Sequence, residues 1–145
     1  MRSLILALLI TTAAADVSIY RGLATTHLFM DNTLLNNSNA VTVVKVDDLL
    51  AGTMLNSYGE DGYFVGYQPK VYDSGRWEVY AGAVAVQGYR RWQLPYLRST
   101  QQNYLEKVTA VAPVVSVSFD LIDAVSIQCN NMSLVVVNCG LRVDF

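Results

Sequence analysis

The last thirteen residues, Ser133-Leu134-Val135-Val136-Val137-Asn138-Cys139-Gly140-Leu141-Arg142-Val143-Asp144-Phe145, decide the fold class. Val135, Val137, Cys139, Leu141, Val143 and Phe145 fall on one face. Asn138, Gly140, Arg142 and Asp144 fall on the other. Alternation with period two is the pattern of a strand with one apolar face, because successive side chains leave a strand on opposite sides. Working backward, Val111, Pro113, Val115, Val117 and Phe119 alternate with Ala112, Val114, Ser116 and Ser118. Val125, Ile127 and Cys129 alternate with Ala124, Ser126 and Gln128, and Tyr63, Val65, Tyr67 and Val71 alternate with Phe64, Gly66, Gln68 and Lys70. Val, Tyr, Thr and Ile dominate, and Gly, Asn and Asp clusters punctuate them. Helical spacing of apolar residues is not seen.

The N-terminus reads differently. Met1-Arg2-Ser3 is a short basic start, Leu4 to Ile10 is an unbroken apolar run, and Ala13-Ala14-Ala15 supplies small residues for cleavage. This is the pattern of a secretory signal peptide, and the run is too short to span a bilayer as a helix. The expected organisation is a leader at 1–15 and one β-barrel domain at 16–145, 130 residues with nine basic and twelve acidic side chains.

Composition narrows the class. The chain is 52% hydrophobic and 15% charged, well outside the range of disordered proteins. Ten Lys and Arg face twelve Asp and Glu with no basic run, so nucleic acid is not an expected partner. Strands are expected at 17–29, 41–47, 49–58, 62–72, 77–90, 108–119, 124–130 and 133–145. Eight is the smallest strand number of outer-membrane barrels, each strand needing about 9–11 residues. Closure leaves no unpaired backbone edge in lipid. The expected fold is an all-β, eight-stranded antiparallel up-and-down barrel of outer-membrane type, a monomer in the outer membrane of a Gram-negative cell. Phe145 resembles the terminal aromatic signal read by the outer-membrane assembly machinery. Tyr58, Tyr63, Trp77, Tyr89, Trp92 and Tyr96 near strand ends suit interfacial girdles. With both termini periplasmic, inner turns fall at 47–48, 73–76 and 120–123, and outer connections at 31–40, 59–61, 91–107 and 131–132.

With the last turn near Asn131, Cys129 pairs with Ser133 and Cys139 with Asp123. The sulfurs are then roughly 20 Å apart at the strand rise. Since a disulfide needs Cα atoms within about 7 Å, both cysteines are expected to be free and outward-facing. One His and two separated Cys make no zinc site, and no glycine-rich phosphate loop is present, so neither metal nor cofactor is expected.

The barrel topology gathers polar residues at the outer end: His27, Asn56 with Ser57, and Arg90 with Arg91. His27, the Asn36-Asn37 loop, Asn56-Ser57 and Gly66-Tyr67 resemble the lipid A palmitoyltransferase family, in which a His precedes an Asp-Ser pair and a Gly-Tyr motif. Ala112-Pro113-Val114-Val115-Ser116-Val117 and the closing Arg142-Val143-Asp144-Phe145 are similar to that family's last strands. Small phage-encoded and bacterial envelope barrels of unassigned function share the pattern. The resemblance implies an outer-membrane acyltransferase acting on phospholipid and lipid A. His27 would be the general base and Ser57 the nucleophile, with Asn56 where the family has Asp. Arg90, Arg91 and Tyr58 would bind substrate, since Arg pairs bidentately with phosphate. Two departures stand out: Asn56 brings no carboxylate, and Val17 begins a strand without a preceding amphipathic helix. On a regular strand Asn56 and Ser57 would face opposite sides, so both reach one site only if the strand breaks.

Plainer readings accompany each residue. A His at a strand end can be a rim residue, Asn56-Ser57-Tyr58-Gly59 is good turn chemistry, and Arg90-Arg91-Trp92 can be a solvated loop start. Two rival functions follow: a non-catalytic envelope barrel that modifies the host cell surface, and a soluble exported lipid-binding barrel. Small residues in 77–90 leave room for an acyl chain or for a closely packed neighbour. If the leader is cut after Ala15, N-terminal sequencing of the exported protein reads Asp16-Val17-Ser18; an intact Met1 in the exported form would refute the cleavage.

Overall fold

The computed structural model describes residues 15–28, 35, 38–90, 107–133 and 135–145. These form nine antiparallel strands: β1 (Val17–His27), β2 (Thr42–Val46), β3 (Leu49–Leu55), β4 (Asp61–Tyr67), β5 (Lys70–Ser74), β6 (Trp77–Arg90), β7 (Lys107–Ile122), β8 (Val125–Met132) and β9 (Val136–Asp144). Each pairs with its sequence neighbour except at one place. Both β4 and β5 pair with β6, β4 over residues 83–87 and β5 over residues 77–80. The two are successive halves of one barrel stave, interrupted at Gln68-Pro69, where proline supplies no N–H to a ladder. The sheet closes where β1 pairs with β9, from Ser18 opposite Asp144 to His27 opposite Val136. Nine strands therefore make eight staves, the expected barrel. The expected single strand 62–72 is corrected to a broken one.

The alternation read in the sequence is the alternation of the wall. Leu23 is 70% exposed, Val111 76%, and Val65, Tyr63, Leu49 and Trp77 also face outward. Inward residues fall into two groups. Leu50, Met54, Phe64, Val84, Val86, Ala112 and Val114 form an apolar cluster from β3, β4, β6 and β7. Opposite and toward the chain ends lies a polar network. Arg142 Nη2 donates to Glu78 Oε2 at 2.7 Å, Arg142 Nη1 to the Tyr80 hydroxyl at 2.9 Å, and Arg142 Nε to Asp144 at 2.8 Å. Lys70 also pairs with Glu78, and Lys45 lies over the Tyr80 ring. A buried charge needs a partner and hydrogen bonds, and Glu78 and Arg142 have both.

Among the small residues of β6, Gly82 has a packing cause. A Cβ on Gly82 would lie 1.9 Å from the Tyr67 carbonyl oxygen and 2.7 Å from the Gln68 Cα, where the broken stave passes over β6. Of the two explanations for those small residues, the closely packed neighbour accounts for Gly82.

The cysteines overturn their expectation. Cys129 and Cys139 are direct partners in the β8–β9 register, with Cα atoms 4.0 Å apart, and they form a disulfide. Their outward orientation is as expected. The turn is centred on 133–135 rather than near Asn131, so β8 runs to Met132 and the expected connection at 131–132 is part of a strand. Elsewhere the bounds move by a few residues, with β7 extending to Ile122 and its turn shifting to Asp123-Ala124. Closing a loop of this size stabilises the folded state by about 3 kcal/mol in the chain-entropy account. The Cys129→Ala/Cys139→Ala barrel should lose about 2–3 kcal/mol in urea unfolding from detergent micelles, an expectation that an unchanged midpoint would contradict.

Candidate functional site

The end of the barrel away from the chain termini, the expected outer end, brings together residues that are far apart in sequence. β1 ends at His27, while β3 ends at Leu55 and gives way to a turn over 56–60. That break is what the shared site required: Asn56 and Ser57 are both buried instead of facing opposite sides. His27 Nε2 and Ser57 Oγ are 2.7 Å apart, with His27 4% and Ser57 6% exposed. The contact spans from β1 to the β3–β4 turn across β2, whose ladder to β1 runs only from Val17 opposite Val46 to Arg21 opposite Thr42.

Asn56 builds the turn. Its side-chain Oδ1 accepts from the Tyr58 N–H at 2.9 Å and the Glu60 N–H at 3.0 Å. Its own N–H donates to the Glu60 carbonyl at 2.8 Å, and its carbonyl accepts from Gly59 N–H at 2.9 Å. The side-chain Nδ2 donates to the Gly88 carbonyl at 3.1 Å. Gly88 is a bulge in β6 with φ +125°, a left-handed conformation that favours glycine, and a Cβ there would lie 2.6 Å from Gly62 Cα. The same turn is tied to β6 a second time, since Arg90 Nε donates to Glu60 Oε1 at 2.7 Å. Ser57 thus hangs from a turn fastened to β6 on one side and reaches His27 on the other.

Of the expected site residues, the structure joins His27 to Ser57, gives Asn56 a turn-building place beside them, and puts Tyr58 within the same turn. Arg90 meets Glu60, which sequence reading did not single out; a Glu in a short connection carries no signal of the strand it will face. Arg91 and the Asn36-Asn37 loop lie outside the described residues. Gly66-Tyr67 stands at the other end of its strand, where the Tyr67 hydroxyl donates to Asp48 at 3.2 Å.

Among the described residues, two cavities occupy parts of the barrel interior. One of about 70 Å³ is mainly apolar, with Val41, Val43, Leu50, Met54, Phe64 and Val84 among its walls. The other, about 400 Å³ at the chain-terminal end, is polar, with Lys45, Lys70, Glu78, Arg142 and Asp144 among its walls. His27 and Ser57 line neither. Among the described residues no three His, Cys, Asp or Glu side chains gather where a metal could sit.

No known family matches the chain, and no curated protein does. Among solved structures it is similar to the outer membrane protein Ail of Yersinia pestis, determined in a phospholipid bilayer nanodisc. The TM-score is 0.50 and the identity 14%, over 90% of this chain and 99% of that one. The fold is that of a small outer-membrane barrel. At this identity the likeness carries the architecture and not the chemistry.

The turn analysis makes a separate claim. Asn56→Ala should cost about 1–3 kcal/mol, because it leaves the buried Gly88 carbonyl and two turn N–H groups without their partner. Urea unfolding of the refolded variant checks it, and Asn56→Asp should recover part of the loss by restoring the acceptor.

Proposed function

We propose that the chain is an outer-membrane barrel of a Gram-negative cell, with both termini periplasmic, that transfers an acyl chain between membrane lipids from the His27–Ser57 pair. The observation that supports this reading is the 2.7 Å contact between a buried imidazole nitrogen and a buried hydroxyl at the outer end. A neighbouring imidazole is what makes a serine nucleophilic. In the proposed reaction His27 takes the Ser57 proton as Oγ attacks an ester carbonyl of a phospholipid. The lysophospholipid leaves with the proton returned by His27, and the acyl group remains on Ser57. A hydroxyl of lipid A then attacks that ester, giving its proton to His27, which passes it to the departing Ser57 Oγ and so restores the pair. The outward apolar face supports insertion in lipid and counts against a soluble barrel.

A second reading rests on a different observation. The Asn56 side chain serves its own turn and Gly88, and position 56 supplies no carboxylate. On that reading His27–Ser57 is a brace, and the protein is a non-catalytic envelope barrel acting on the host surface through its outer connections.

Mass spectrometry of lipid A and phospholipids from cells expressing the inserted protein separates the two. The acyltransferase reading expects added acyl chains on lipid A, lost by about 10²- to 10⁴-fold in His27→Ala and Ser57→Ala. An unchanged lipid profile with correctly inserted protein would leave the brace.

A further inference from the structure

Arg21 is the residue that the lipid-facing wall does not account for. It lies in β1 among outward-facing apolar side chains: Ile19 and Leu23 along its own strand, and Leu141 opposite it on β9. Its guanidinium is exposed, and Nη1 donates to the Thr42 hydroxyl at the last β1–β2 pair. Among the described residues it has no carboxylate partner. Four residues in from Val17, at about 3.3 Å per residue on a tilted strand, it sits roughly 10 Å from the inner end of the barrel.

A charged side chain in a lipid-facing band is costly and calls for a named partner. The long stem of Arg lets its head reach toward the interface while its methylenes stay on apolar surface. Trp77 and Phe119, tilted rings with centroids 4.8 Å apart near the chain-terminal end, suit the inner interface. What waits there is phosphate, and a planar guanidinium is the side chain that takes phosphate oxygens two at a time. We propose that Arg21, oriented by Thr42, holds the phosphate of one phospholipid of the inner leaflet against the β1–β2 wall. The proposal rests on the membrane reading of the barrel and is independent of acyl transfer.

The test uses native mass spectrometry of the exported chain released from micelles containing phosphatidylglycerol, with diacylglycerol and inorganic phosphate as parallel probes. The native protein should retain one phospholipid. Arg21→Gln should lower the retained fraction at least tenfold, and Arg21→Lys should fall between. Thr42→Val, which leaves the charge in place, should weaken retention severalfold. Neither diacylglycerol nor inorganic phosphate should be held. Equal retention by Arg21→Gln, equal retention of diacylglycerol, or no retained lipid on the native protein would each overturn the site. A shift in electrophoretic mobility on heating confirms that each variant is folded before it is compared. A chain that inserts into no phospholipid vesicle would bring down the membrane reading, and the site with it.

Discussion

Ser18 to His27 of β1 pairs with Val136 to Asp144 of β9, joining the two ends of the chain into one ladder. In a hydrocarbon environment an unpaired backbone N–H or C=O costs several kcal/mol, so an open sheet edge is not available to a spanning structure. Closure is therefore the condition that the other features serve. It decides which side chains face inward, and with eight staves it leaves a narrow lumen to be filled by the chain itself. The break at Gln68-Pro69 is compatible with closure because β6 pairs with both halves of the broken stave.

Filling that lumen explains the distribution of charge. A soluble domain puts charge outside, whereas this barrel puts Glu78 and Arg142 inside, where each finds its counterpart at 2.7 Å. The pair is not a source of stability over an apolar alternative of equal volume. Removing either member alone would leave a buried charge, so the two tie β6 to β9 across the lumen. The polar cavity around them opens at the chain-terminal end, and the apolar cluster fills the space between β3 and β7.

The same division shows what was legible in the sequence. Faces were legible because period-two alternation needs no knowledge of partners. The cysteine register was not, and the reason is specific. Asn130 and Asn131 carry the composition of a turn, yet Asn130 Oδ1 accepts from Gln128 Nε2 at 2.6 Å and from the Ser116 hydroxyl within the barrel. In a barrel with a polar interior, Asn marks the lumen as well as the turn, and the two uses look alike one residue at a time. Shifting the turn from Asn131 to 133–135 slides β9 along β8 and brings Cys139 opposite Cys129. Of the site, His27 and Ser57 were legible as strand-end residues on one rim. The role of Asn56 was not, since it depends on the Gly88 carbonyl, which no side-chain pattern announces. Glu60 was missed for the same reason: its partner Arg90 lies 30 positions away.

The rim that carries His27 and Ser57 then poses a physical question in its own right. Because β2 begins only at Thr42, the part of β1 beyond Arg21 runs past the β1–β2 ladder, and His27–Ser57 spans that side. A contact that bridges a wall and a contact that moves a proton differ in what surrounds them, not in their length. A brace is best served by a turn held still, and Asn56, Gly88 and the Glu60–Arg90 pair hold this one from the β6 side. A nucleophile needs the same stillness, since a serine misplaced by about 1 Å loses about 10² in rate. Rigid fastening of the 56–60 turn therefore favours neither role over the other. What separates them is whether an ester carbonyl can approach Ser57 Oγ on the side away from His27. That approach depends on what surrounds the pair at this rim and not on the pair itself.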